Sequence, residues 1–234
     1  MKNLEKYYNE LVLDIINNKE KFNEQKVAFF TPVIGTKYDR QFLIFGRATN
    51  GWYASDFGGL DTIINFNENI DSDLLEKIKN NISTLNTDWI EQKWSSKEKT
   101  STKKSPFFRM VKSISELSEG GDFYTIAWSN LYKVSKLDEG NPSEKLCQVQ
   151  EKLSKEIFLN EIEILKPKYV ILLTGLNWAN PFINDLEIIS QDESEFIKYI
   201  AKYKNSYIIV SEHPQGKPEE QHLEDIKAVI KKYN

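Results

Sequence analysis

Residues 42–57 read FLIFGRATNGWYASDF: an apolar run, a polar turn and a ring-bearing segment in succession. Phe42, Leu43, Ile44 and Phe45 are apolar without a break. Such a run predicts a strand covered on both faces, as in a parallel sheet. Gly46 closes it, and a residue without Cβ lets the backbone turn and a ligand come close. A polar turn, Arg47-Ala48-Thr49-Asn50-Gly51, leads to Trp52 and Tyr53. Ligands of open α/β sheets bind beyond the carboxyl ends of the strands. Residues 46–52 are therefore the expected working site, with other strand ends supplying matching groups. A core strand followed by an ordinary turn fits the same residues.

Working outward, Leu4, Tyr8, Leu11 and Ile15 recur at helical spacing and predict a helix over residues 3–18. Pro32 and Gly35 make residues 29–35 irregular. Asp73-Leu74-Leu75-Glu76 reads as a capping box opening a helix with Leu75, Ile78, Ile82 and Leu85 on one side. Ser105-Pro106 supplies an N-cap and a first-turn proline for a helix that buries Phe107, Val111, Ile114 and Leu117. Residues 123–128 predict the second strand, which ends in Ser129-Asn130-Leu131. Asn141-Pro142-Ser143-Glu144 opens a long helix marked by Leu146, Val149, Leu153 and Ile157, and Lys166-Pro167 ends it. Residues 169–173 predict the third strand, followed by Thr174-Gly175. Phe196, Ile197, Ile200 and Tyr203 predict another helix, and residues 207–210 the fourth strand. Pro218-Glu219-Glu220 starts the last helix, with Leu223, Ile226 and Ile230 facing inward.

Strands alternating with helices imply right-handed crossovers. The expected fold is α/β: a three-layer sandwich with a central, mostly parallel four-stranded sheet flanked by helices, in one domain over residues 1–234.

The chain has 234 residues, 40% of them hydrophobic, which suits one α/β domain with a proper core. No apolar run is long enough for a bilayer, and the mixed charges of the first segment do not read as a signal peptide. A single cysteine, Cys147, excludes an internal disulfide framework and a multi-thiolate zinc or iron–sulfur site. His213 and His222 are the only imidazoles, which argues against a His-rich metal site. A cytoplasmic protein without a structural metal is expected. A net charge of −4 is not that of a protein that coats nucleic acid nonspecifically. Yet Lys93, Lys97, Lys99, Lys103, Lys104, Arg109 and Lys112 crowd one segment against Glu98 alone. That segment suits either phosphate contacts or a solvated loop.

Four strand ends are expected at one sheet edge: residues 46–52, Asn130, Gly175 with Asn177, and His213-Pro214. In these residues the chain resembles the uracil-DNA glycosylase superfamily. EIFLNEIEILKPKYVILLTG, residues 156–175, resembles the helix and strand before the family's third loop. SEHPQGKP, residues 211–218, is similar to the family's His-Pro-Ser loop. IAWSNLYKV, residues 126–134, resembles the strand whose terminal asparagine reads the target base, and FGRATNGW stands in place of the first motif. The resemblance spans residues 42–218. It implies a monofunctional DNA glycosylase of DNA repair, a hydrolase of N-glycosyl bonds that flips its base. The expected protein is a monomer with no cofactor and no membrane partner. Its partner is DNA, single-stranded or modified, or a nucleotide.

The resemblance assigns catalysis to Asn50 and His213. Cleavage of the glycosidic bond leaves negative charge on the departing base, and a donor aimed there lowers the barrier. His213 takes that place, and a neutral imidazole N–H suffices. Asn50 orients the attacking water, more weakly than a carboxylate activates one. Gly46, Trp52, Tyr53 and Asn130 form the base site. The asparagine amide has one acceptor and two donors for a Watson–Crick edge, and the rings are stacking surfaces. Arg47, Gln215, Gly216 and Lys217 contact phosphate.

The first motif departs from the family pattern. The family carries an acid or asparagine within two residues of the glycine, where this chain has Arg47 and Ala48. Arg47 attracts an anion instead. Hydrolysis then runs on Asn50, or the scaffold has lost it and kept nucleic-acid or nucleotide binding. A hydrolase of free nucleosides or nucleotides is the third reading. His222, beside Glu219, Glu220 and Glu224, is expected to be a solvated surface residue.

Overall fold

A computed structural model describes residues 2–49, 59–96, 102–137 and 140–234. The architecture is mixed α/β. β3 (Phe42–Gly46) forms where the apolar run predicts it, and all five residues are buried. It runs parallel to β7 (Tyr169–Leu173), with Phe42 opposite Tyr169 and Phe45 opposite Leu172. β7 in turn runs parallel to β10 (Ser206–Ser211). These three strands are buried, near-continuous apolar runs, the pattern of strands covered on both faces.

Among the described residues the sheet has seven strands, not the expected four. Its order is β2-β5-β3-β7-β10-β9-β8, with β2 at Val33–Ile34, β5 at Ala127–Asn130, β8 at Glu187–Gln191 and β9 at Ile197–Tyr203. β9 and β8 extend it antiparallel, so the sheet is mixed rather than mostly parallel. The helix expected over Phe196, Ile197, Ile200 and Tyr203 is therefore strand β9. Tyr203 and Ser206 are register partners across a two-residue turn in which Lys204 adopts a φ of +54°. Apolar residues three apart fit a helix, but the run is short, aromatic and β-branched, and hairpin pairing with β10 decides its period. The second strand also starts later than expected. Residues Phe123–Thr125 form a 3-10 turn capped by Asp122, whose carboxylate accepts from the Tyr124 N–H.

The chain divides into two compact units. The first comprises Met1–Val33, Arg47–Leu85 and Ser129–Ile164. In it β1 (Lys26–Phe29) pairs antiparallel with β4 (Ile63–Asn65) and β6 (Val134–Lys136). Helices α1 (Lys2–Asn17), α2 (Leu74–Thr84) and α5 (Glu144–Leu165) share a core that includes Tyr8, Leu11, Ile15, Val27, Ile78, Val134, Leu146 and Ile157. Each fully buried Leu or Ile of this kind contributes about 1.5–3 kcal/mol. The Tyr8 hydroxyl donates to the Phe30 carbonyl at 2.7 Å, so the ring enters the core without an unmet polar group. The capping box at Asp73 does not form: Asp73 makes no side-chain cap, and Glu76 pairs with Lys79. Within the Asn141–Glu144 stretch, Ser143 caps α5, its Oγ accepting from the Leu146 N–H at 3.2 Å.

The second unit comprises Ile34–Gly46, Asn86–Trp128 and Leu165–Asn234. It holds α3 (Asp88–Ser95), α4 (Pro106–Ser115), α6 (Leu176–Ile183) and α7 (Glu219–Lys232). Trp128 packs against Trp89 and Phe108, with centroids 5.7 and 5.4 Å away. Gly35 is required here, since a Cβ would fall 2.0 Å from the Tyr124 carbonyl oxygen. Of the basic segment, Lys97 and Lys99 lie outside the described residues, while Arg109, Lys103 and Lys112 make contacts within the protein. Arg109 forks onto Glu219 and donates to the Lys103 and Lys104 carbonyls. Lys103 lies over Trp94 and Lys112 over Phe123. No helix among the described residues is long and apolar enough to cross a membrane.

Candidate functional site

The chain passes from β3 to β5 on one side of β3, then to β7 on the other. The strand order reverses there, and open α/β sheets bind ligands at the carboxyl ends flanking such a reversal. Gly46 ends β3 at this point, and Thr174-Gly175 follows β7. Gly175 has φ +81° and ψ 156°, a conformation open essentially to glycine, and begins α6. Its N–H donates to the Ser211 carbonyl at 2.9 Å, tying the ends of β7 and β10 together.

In the first unit, Asn130 is the last residue of β5 and 1% exposed. Its Nδ2 has no hydrogen-bond partner among the described residues. A buried donor left unmet costs about 1–3 kcal/mol, so this amide is poised for an acceptor. The segment after it is held on several sides. The Tyr132 N–H donates to the Arg47 carbonyl at 3.0 Å, and the Thr49 N–H to Ser135 Oγ at 3.3 Å. The turn after β3 thus lies along the segment after β5. From α5, Gln150 takes both backbone groups of Val134: Oε1 accepts from its N–H at 2.8 Å, and Nε2 donates to its carbonyl at 2.7 Å. Lys133 is fully buried, with Nζ donating to Ser129 Oγ at 2.8 Å and to Glu161 Oε1 and Oε2 at 2.9 and 2.8 Å. Burial pushes the Lys133 ammonium down and the Glu161 carboxyl up, and their mutual attraction opposes both shifts. The sequence reading missed this pair. The available signal was a lysine set between Leu131-Tyr132 and Val134, and a glutamate four residues after Ile157 on the α5 stripe.

In the second unit, His213 follows β10 and is half-buried. Its Nδ1 accepts from the Gln215 N–H at 3.2 Å, which places the proton of the neutral ring on Nε2. The expected tight loop forms: the Lys217 N–H donates to the Pro214 carbonyl at 3.2 Å, and Gly216 takes φ +73°. Gln215, Gly216 and Lys217 are exposed.

His222 is not the solvated residue expected from its acidic neighbours. It is fully buried on the α7 stripe with Ile226 and Val229. Nε2 shares a hydrogen bond with Ser211 Oγ, and the ring lies 4.9 Å from Phe196. Burial pushes its pKa down to about 4; Lys217 acts in the same direction and Asp225 against it. Glu219 faces Arg109 and Glu224 faces Lys227, so the sequence neighbours do not share the histidine's surroundings. Helical position, not local composition, sets its burial.

Of the sequence-derived site, Asn50, Trp52 and Tyr53 lie outside the described residues. Arg47 and Asn130 belong to the first unit, and Gly46, His213, Gln215, Gly216 and Lys217 to the second. An open groove of about 520 Å³ in the first unit is lined by Tyr7, Leu13, Glu10, Asp14, Lys152 and Glu156, an acidic surface unsuited to phosphate. The Cys147 thiol is pushed up to about 12 by burial, so it is neither a nucleophile nor a ready metal ligand. Among the described residues no three His, Cys, Asp or Glu side chains gather around a metal position. No protein-family model matches the chain and no curated protein matches it, so function is read from the chemistry of these strand ends.

Proposed function

We propose that the chain is a DNA glycosylase-like protein that recognises an extruded, damaged or modified base and hydrolyses its N-glycosidic bond. The observation that carries this reading is the buried Asn130 amide at the end of β5, whose Nδ2 lacks a partner among the described residues. A base carbonyl or ring nitrogen is the acceptor it fits. In the reaction, water adds to the sugar C1′ as the C1′–N bond breaks, and the electron pair leaves with the base. His213 donates through Nε2 to that departing charge, in the tautomer that the Gln215 N–H favours. Asn50 orients the water, Trp52 and Tyr53 stack on the base, and Arg47 with the 215–217 loop holds phosphate. The same reading makes the fold uracil-DNA glycosylase-like and the protein a cytoplasmic monomer.

Arg47 and Ala48 favour a second reading, a binding module without hydrolysis, because neither can activate water. One experiment separates the two. Oligonucleotides bearing uracil, hypoxanthine or hydroxymethylated pyrimidines are incubated with the protein and tested for alkali-labile abasic sites. Abasic product that falls by about 10²–10³ in His213→Ala supports the enzyme. Strand affinity without product supports the binding module. No affinity for any of the strands, with base released from none, contradicts both.

A further inference from the structure

We propose that Lys133, Ser129 and Glu161 form a buried clamp that positions Asn130, so that base discrimination depends on an ion pair that does not touch the base. The inference rests on the reading of Asn130 as the base-recognising residue.

Ser129 and Lys133 bracket Asn130, Leu131 and Tyr132. The Lys133 side chain turns back to donate to Ser129 Oγ, closing this five-residue span on itself. The closed span is fastened to α5 through both oxygens of Glu161. Leu131 is fully buried and Tyr132 nearly so, which leaves the span little room to shift. One residue further, Gln150 of the same helix fixes Val134 through both of its backbone groups. At 100° per residue, Gln150, Ser154 and Glu161 share the stripe of α5 that carries Leu146 and Ile157.

Polar groups in the middle of an apolar stripe are poor value for stability, since well-packed hydrophobic residues of similar volume do as well or better than a buried ion pair. What the pair supplies is register. In a strand, a slip of one residue turns every side chain to the opposite face. Here that slip would turn the Asn130 amide away, and the two Lys133–Glu161 bonds to α5 oppose it. Lys133 and Glu161 are thus positioning residues for Asn130.

The test compares wild type, the double variant Lys133→Met/Glu161→Leu, Ser129→Ala and Asn130→Ala. Affinity is measured for an oligonucleotide bearing one uracil or 5-hydroxymethyluracil and for the same strand with a tetrahydrofuran abasic site. Amide hydrogen exchange is followed at residues 129–134. The double variant is expected to fold with a Tm within about 5 °C of wild type. Its exchange at residues 131–133 should accelerate by about a hundredfold. Its discrimination between base and abasic site should fall about tenfold, with no further loss on adding Asn130→Ala. Ser129→Ala keeps the ion pair, opens the clamp and should lose about threefold, which keeps the test alive if the double variant does not fold. A folded variant with wild-type discrimination and wild-type exchange overturns the clamp. If wild type itself does not discriminate, the base-recognition reading fails, and exchange alone decides the clamp: local acceleration sustains it and unchanged exchange overturns it.

Discussion

The first unit buries a charged pair and the second buries a neutral one. Lys133 and Glu161 lie behind the end of β5; Ser211 and His222 lie at the end of β10. Burial disfavours charge in both places. Lys133 has two carboxylate oxygens and a hydroxyl as acceptors, so its proton has strong reasons to stay on Nζ. His222 has one hydroxyl and an aromatic neighbour, so burial wins and the ring is neutral. The same low-polarity setting thus yields an ion pair where partners saturate it and a neutral imidazole where they do not. The two regions should respond differently to mutation and to pH.

The largest effect is expected from breaking the charged pair on one side only. Lys133→Ala leaves a buried carboxylate uncompensated and should cost about 3–5 kcal/mol in urea unfolding, whereas Lys133→Met/Glu161→Leu should be close to neutral. Equal losses in the two would mean that the pair is a net stabiliser.

The neutral region should show itself through pH. The folded His222 pKa, about 4, lies below the unfolded value near 6.5, so the unfolded chain binds more protons between these values. Stability is therefore complete above pH 6.5 and lost as pH falls toward 4. From pH 7 to pH 5 the loss should be about 2 kcal/mol, and His222→Gln should remove that part of the slope. An unchanged slope in the variant would place the titration elsewhere.

A surface ion pair extends the contrast by being neither buried nor isolated. The Arg109–Glu219 pair joins α4 to α7 with both side chains more than a third exposed. Arg109→Gln should cost less than about 1 kcal/mol, and less still in high salt. A loss comparable to that of Lys133→Ala would remove burial as the distinguishing variable.

What the sequence revealed follows from the range of the forces involved. The runs FLIF, YVILL and YIIV announced β3, β7 and β10 because a strand buried on both faces has no polar positions. Strand β9 was hidden because FIKYIAKY satisfies a helical spacing over too few residues to exclude it, and only its pairing with β10 settles the matter. At the candidate site, Asn130 and His213 stood out as polar residues at strand ends, and the loop at residues 214–217 turned as its glycine required. The groups behind them did not stand out. Glu161 and His222 look like surface residues by composition, and each is buried by its position on a helix whose partners lie far along the chain. Capping at Asp73 failed for a related reason: the motif allows a box, but neighbouring Asp71 and Lys79 compete for its members.

The most direct measurement is on the Asn130 side chain itself. Its Hδ2 resonances are assigned by comparison with Asn130→Ala and followed by NMR as uracil-, hypoxanthine- and hydroxymethyluracil-bearing oligonucleotides are added. A base-recognising Asn130 predicts a downfield shift with at least one of these strands and none with the tetrahydrofuran abasic strand. Resonances that stay in place while the same strands bind would contradict it.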